Sequence, residues 1–145
     1  MNDLKPPMTD NAGQFDTSHI VDCLQQGDAK LALQCCHELL ANNPQHPQTL
    51  LLAALASRSL GWLDDSLDLI NRALVVAPEQ PASHSLMGDI LLLQKKPGAA
   101  LTSLLEAQHL GDCSAQINFN IGSANLALAA YEDAKIYFDK ALSID

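Results

Sequence analysis

Shifted along itself by 34 residues, the chain meets its own pattern, and that period limits the folds open to it more than any other feature. Pro44 falls on Pro78, Pro47 on Pro81, Gly27 on Gly61 and Gly88 on Gly122. Ala32, Ser66, Ala100 and Ala134 form one column of small residues, and Leu39, Ala73, Ala107 and Ala141 form another. Leu33, Leu67 and Leu101 make a third.

Each unit reads as two helices. In the second, Pro47 suits a first helical turn, where its missing N–H costs nothing. Leu50, Leu51, Ala54 and Leu55 follow at helical spacing, "SLGW" breaks the run, and "DDSLDLINRALVV" resumes it before Pro78. Asp64 and Asp65 fall in that helix's first turn, where negative charge complements the macrodipole. The third unit turns at "QKKPGA", with Pro97 near the next helix start. The first unit opens with a short, polar helix at about residues 16–26. Two helices joined by a tight turn cross closely only where side chains are small. Ala32, Ser66, Ala100 and Ala134 supply that clearance on the second helix, and Gly88 and Gly122 on the first.

The composition agrees. Of 145 residues 48% are apolar but only 4% aromatic, so the core is built from Ala, Leu, Ile and Val, and the two commonest of these favour helices. Eight Lys and Arg oppose seventeen Asp and Glu, a net charge of −9. The cations are scattered and only Lys95 and Lys96 are adjacent, so no basic stripe exists to neutralise phosphates. A nucleic acid or an anionic membrane is therefore not the expected partner. Cys23, Cys35, Cys36 and Cys113 lack the spacing of a disulfide framework. The opening "MNDLKPPMTDNAGQFDTS" is no signal peptide, and no run approaches the ~20 apolar residues needed to span a bilayer. These features predict a cytoplasmic protein with reduced thiols and a disordered tail over residues 1–14.

The repeat resembles the tetratricopeptide repeat, whose pattern is Trp-x2-Leu-Gly-x2-Tyr, Ala-x3-Phe and a closing Pro. The fourth unit carries Ile121-Gly122, Ala134, Phe138 and Ala141; the third Met87-Gly88, Ala100 and Leu104. The second has Ser66, Ile70 and Pro78, and the first Ala32, Cys36 and Pro44. No unit carries the aromatic pair of the first helix, and Asp112 replaces the third closing proline. There "HLGDCS" offers Gly111 as a helix stop and Asp112 or Ser114 as the next cap. The resemblance implies an all-α fold, an α-α superhelix of four helix-turn-helix repeats at about residues 13–46, 47–80, 81–114 and 115–145, forming a domain over 15–145.

Cys35, Cys36 and His37 look like soft metal ligands, but the register aligns Cys36 with Ile70, Leu104 and Phe138, a core column. Adjacent helical residues point about 100° apart and do not converge on one ion. The remaining histidines are scattered, and Asp64, Asp65 and Asp68 are explained by a solvated helix start. The sequence holds no phosphate-cradling glycine loop and no G-x-S-x-G. The reading is of a non-enzyme with no cofactor and no metal site.

By resemblance, the first helix of each repeat lines a concave groove. The expected peptide-binding residues are Leu51, Leu55 and Arg58, with Ser59, in the second unit; Ser85, Asp89 and Leu92, with Leu93, in the third; and Phe119, Asn120 and Ser123, with Ala127, in the fourth. Thr17, Val21 and Gln25 extend it in the first. A groove of apolar patches and polar anchors suits a peptide or helix with apolar side chains, oriented by Arg58 or Asp89. The cationic clamp of chaperone-binding repeats is missing, its positions holding Thr17, Val21, Leu52, Ala82 and Leu86. The asparagine ladder of certain glycosyltransferases is reduced to Asn120 beside Leu52 and Leu86.

Ile136, Tyr137 and Ile144 leave the outer flank of the last helix partly bare, with no polar capping helix after it. That predicts a longer natural chain or cover by another, including a homodimer through this end. The leading expectation is a non-catalytic protein–protein interaction module. The second is the N-terminal part of a larger bacterial enzyme, such as a sulfotransferase, glycosyltransferase or methyltransferase, and the third a secretion chaperone.

Overall fold

A computed structural model describes residues 16–144; the tail expected over 1–14 lies outside the described residues. Every regular element among the described residues is an α-helix, in consecutive pairs: α1 (Ser18–Gln25) with α2 (Ala29–Asn42), α3 (Pro47–Ser59) with α4 (Leu63–Val76), α5 (Pro81–Leu93) with α6 (Pro97–His109), and α7 (Ala115–Ala127) with α8 (Tyr131–Leu142). The all-α helical-repeat class expected from the sequence is the one adopted. Two compact units divide the chain, the first ending at Val76 and the second beginning at Ala77. Within the first, α2 packs on α1 and α3, and α3 packs on α4. Within the second, α6 packs on α5 and α7, and α7 on α8.

Helix starts follow local chemistry. Pro47, Pro81 and Pro97 each occupy the first position of their helices. Asp28 caps α2 by accepting from Leu31 N–H at 3.1 Å, and Ser114 caps α7 by accepting from Ile117 N–H at 3.2 Å. His46 does the same for α3, its Nδ1 accepting from Thr49 N–H at 3.2 Å.

The turn inside each pair is one structure used four times. Gly27 and Gly61 adopt φ of 81° and 79°, and the residues 34 positions on from Gly61 and 68 on, Lys95 and Ala129, adopt 58° and 59°. All four end a helix in the left-handed conformation. The next N–H reaches back to a carbonyl five residues earlier: Asp28 to Cys23, Trp62 to Ser57, Lys96 to Leu91 and Ala130 to Asn125, each at 2.9 Å. This closure satisfies carbonyls that the helix end would otherwise leave open. Glycine adopts such a φ without a Cβ clash, so Lys95 and Ala129 carry strain that Gly27 and Gly61 do not.

The small columns lie where the helices meet. Ala32, Ser66 and Ala100 are fully buried and Ala134 nearly so. Ser66 also donates from Oγ to the Ala54 carbonyl at 2.7 Å, tying α4 to α3. A Cβ added to Gly88 would stand 2.6 Å from Leu104 Cδ2 and 3.2 Å from the Ala100 carbonyl oxygen. At Gly122 it would stand 2.8 Å from Phe138 Cδ1 and Cε1. The core of the first unit gathers Ile20, Cys36, Leu39 and Leu40 beneath Leu50 and Ala53 of α3. In the second, Leu104 and Ala107 of α6 meet Ile117, Ile121 and Ala124 of α7.

Candidate interaction surface

The first helices of the pairs present the expected binding residues in three register columns. Leu51, Ser85 and Phe119 share one. Leu51 is buried, 5% exposed. Ser85 is half-buried and donates from Oγ to the Asp112 carboxylate in the turn before α7. Burial works to raise the Asp112 pKa, but the hydrogen bonds from Ser85 and Ser114 outweigh it and hold the carboxyl below its ordinary value. Phe119 is 52% exposed and tilts against Phe138, ring centroids 5.6 Å apart.

The second column, Leu55, Asp89 and Ser123, is half-buried in every member. Ser123 Oγ bonds its own helix, donating to the Phe119 carbonyl at 2.9 Å. The third column holds Arg58 and Leu92, both half-buried, and continues to Leu126, which is exposed. Leu126 was absent from the sequence expectation, although its register with Arg58 and Leu92 marks it. Leu93 and Leu128 add exposed apolar surface at the ends of α5 and α7. Asn120 is buried and accepts from Gln116 Nε2 at 2.9 Å, so it belongs to the interior of its unit.

Each of two concavities among the described residues sits inside a single unit. One of about 470 Å³ lies between α7 and α8, lined by Ala115, Gln116 and Phe119 on one side and Phe138, Ala141 and Leu142 on the other. The other, about 300 Å³, is lined by Leu33, His37, Ser57, Trp62, Asp65, Asp68, Leu69 and Arg72.

Cys36 is fully buried in the core, where desolvation pushes its thiol up to about 12. Burial raises Cys23 and Cys35 as well, so these sulfurs are held as thiols with little nucleophilic character. His37 is exposed and points away from that core column. Among the described residues, no three His, Cys, Asp or Glu side chains gather as metal ligands would. No helix among them is long and apolar enough to cross a membrane.

A family model for the tetratricopeptide repeat matches residues 115–145. No curated protein sequence matches the chain. Several solved structures share its fold. MamA from Desulfovibrio magneticus superposes with a TM-score of 0.79 at 21% identity, over 88% of this chain and 72% of that one. TTC0263 from Thermus thermophilus, a thermophilic tetratricopeptide-repeat protein, gives 0.77 at 19% identity, over 89% and 72%. An O-GlcNAc transferase mutant from Thermobaculum terrenum gives 0.72 at 22% identity, over 75% of this chain and 21% of that one. With helix pairs in 34-residue register, a tetratricopeptide-repeat match on the last of them and these superpositions, the chain has the helical-repeat fold of solved tetratricopeptide-repeat proteins.

Proposed function

We propose that the chain is a non-catalytic protein–protein interaction module that takes a peptide or protein segment along the half-exposed faces of its first helices. The observation that carries this reading is the partly open face of the first helices within each unit. In the second unit Asp89, Leu92, Ser123 and Leu126 lie on it, with exposed Leu93 extending the apolar area, and in the first unit Leu55 and Arg58 occupy the same register positions. Apolar side chains interrupted by a carboxylate, a guanidinium and a hydroxyl fit a segment that offers aliphatic anchors and a few polar groups. The net charge of −9 favours a neutral or basic segment and disfavours nucleic acid. Leu51, at 5% exposure, supports the fold beneath this face.

The test is capture of a partner from a lysate of the native host by the purified chain and by the double variant Leu92→Glu/Leu126→Glu. Leu126 is exposed and Leu92 is half-buried against the core of the second unit, so retained helical circular dichroism of the variant is established before capture is compared. Loss of a partner that the native chain retains supports the reading, and equal capture by both removes this face from it.

A second reading is favoured by the transferase superposition, in which most of this chain matches 21% of a much longer one. In that reading the repeats position a partner or substrate for a larger enzyme. Immunoblotting the native host separates the two, since a product far heavier than 15.6 kDa supports the second.

A further inference from the structure

The repeat pattern places a tyrosine three residues after its glycine, and in the second repeat that position holds Ser57. Cys23, Leu91 and Asn125 share its column, and Ser57 is the smallest of them. A serine there leaves room. The concavity of about 300 Å³ in the first unit is lined by Ser57 and lies in the cleft between α2 and α4, which both pack on α3 and not on each other. Leu33 of α2 and Leu69 of α4 give it apolar walls. Ser57 is 1% exposed, and among the described residues nothing bonds its hydroxyl. A hydroxyl so deeply placed is ordinarily paired. What surface Ser57 keeps opens into the concavity.

The charges around this floor are uneven. Asp65 and Asp68 stand one turn apart on α4 and line the concavity, and neither carboxylate bonds or pairs with any described residue. Arg72, four residues after Asp68, has the spacing to neutralise it. Its Nη2 donates instead to the Pro44 carbonyl at 3.0 Å. Trp62 completes the lining, 48% exposed, and is held beside Ser57 by the 2.9 Å bond from its N–H to the Ser57 carbonyl. Two unpaired carboxylates and an indole face attract a cation. A metal ion does not fit. His37, also in the lining, does not gather with the two aspartates as metal ligands would, and the leucines and the indole offer a hard ion no oxygen. A guanidinium does fit, since it stacks on an indole and its five N–H donors serve two carboxylates and a hydroxyl together. Its alkyl stem suits the leucine walls.

We infer that the concavity over Ser57 is a binding site for one arginine side chain of a basic protein segment, its guanidinium held by Asp65, Asp68 and Ser57 against Trp62. The excess of seventeen acidic over eight basic residues draws such a segment. A volume at the low end of ligand pockets takes one side chain rather than a helix. None of these four residues belongs to the first-helix columns above, so the two readings fail independently.

Trp62 is the single tryptophan of the chain, so its fluorescence reports on the site directly. Arginine capped as its N-acetyl amide is titrated into the full chain, with capped citrulline, a neutral isostere, alongside. Capped arginine is expected to change the emission saturably, with half-saturation in the millimolar range or below, and citrulline to bind about tenfold or more weakly. Asp65→Asn/Asp68→Asn changes two exposed side chains and is expected to weaken arginine binding about tenfold or more once its helical circular dichroism is verified. Ser57→Tyr, which supplies the ring of the repeat pattern, is expected to abolish binding. No saturable change below about 10 mM overturns the proposal. Citrulline binding equal to that of arginine overturns it too, as does binding unmoved by the aspartate variant or retained in a folded Ser57→Tyr. Free L-arginine binding about tenfold or more tightly than the capped form also overturns it, by making the free amino acid the occupant.

Discussion

Three glycines sit in helices of the second unit, and replacing each by alanine separates close packing from helix propensity. Alanine in a helix interior is favoured over glycine by about 0.5–1 kcal/mol. Gly98 lies in the first turn of α6 with nothing within 4 Å of an added Cβ, so Gly98→Ala should gain up to that amount. At Gly88 the new methyl meets Leu104 at 2.6 Å and the Ala100 carbonyl oxygen at 3.2 Å. Leu104 and Ala100 are both fully buried, and the carbonyl belongs to helical backbone, so neither can yield cheaply. Overpacking of this kind costs about 1–3 kcal/mol, and after the propensity gain Gly88→Ala should lose about 1–2 kcal/mol. Gly122→Ala falls between, because the ring it meets at 2.8 Å belongs to half-buried Phe138 at the edge of an open concavity. Urea unfolding followed by circular dichroism gives the order directly, provided the slopes of the three curves agree. If Gly88→Ala were as stable as Gly98→Ala, the close crossing of α5 and α6 at this point would be refuted.

Further outcomes follow from other positions. Lys95→Gly and Ala129→Gly should each raise stability by about 0.5–1 kcal/mol, since both residues hold a positive φ that glycine adopts freely, and Gly61→Ala should do the opposite in the same thermal unfolding assay. Ser66→Ala removes the 2.7 Å bond to the Ala54 carbonyl and should cost about 0.5–1.5 kcal/mol by urea unfolding. The Cys36 thiol, at about 12 in the folded chain, ionises earlier once unfolded, so the unfolded state holds fewer protons between about pH 8.5 and 12. Stability from this group is intact below that window and falls by about 1.4 kcal/mol per pH unit within it; Cys36→Ala should flatten the alkaline slope. Exposed Cys113 should react with a thiol reagent in the native state, while Cys36 reacts only on unfolding, as counted by mass spectrometry.

Much of this architecture was legible because a repeat multiplies its signals. A single proline or alanine says little, but Pro47, Pro81 and Pro97 begin helices and Ala32, Ser66, Ala100 and Ala134 are buried together. The same register removed Cys36 from suspicion as a metal ligand and put it in the core. What escaped the sequence has physical reasons. Lys95 and Ala129 do not advertise a left-handed turn, because the helix-end hydrogen bonds impose it against residue preference. The faces of α3 and α7 were harder still. Helices packed against neighbours on several sides carry apolar residues all round, so the side left open has no amphipathic signature. That is why the pattern on α3 did not separate buried Leu51 from half-exposed Leu55, and why nothing in the pattern on α7 marked Leu126 as exposed. The bond from Ser85 to Asp112 joins residues whose chemistry is ordinary in isolation, and only the fold brings them together.

The central claim is that partners are held on the half-exposed columns of the first helices. Site-specific photocrosslinking tests it most directly. A benzophenone side chain is placed at Leu92, at Ser123 and, as a control on α6, at exposed Leu105. Illumination in the native host should join a partner to the chain from positions 92 and 123 and not from 105. Adducts from 105 alone, with none from 92 or 123, would contradict the account and move the binding surface to the second helices.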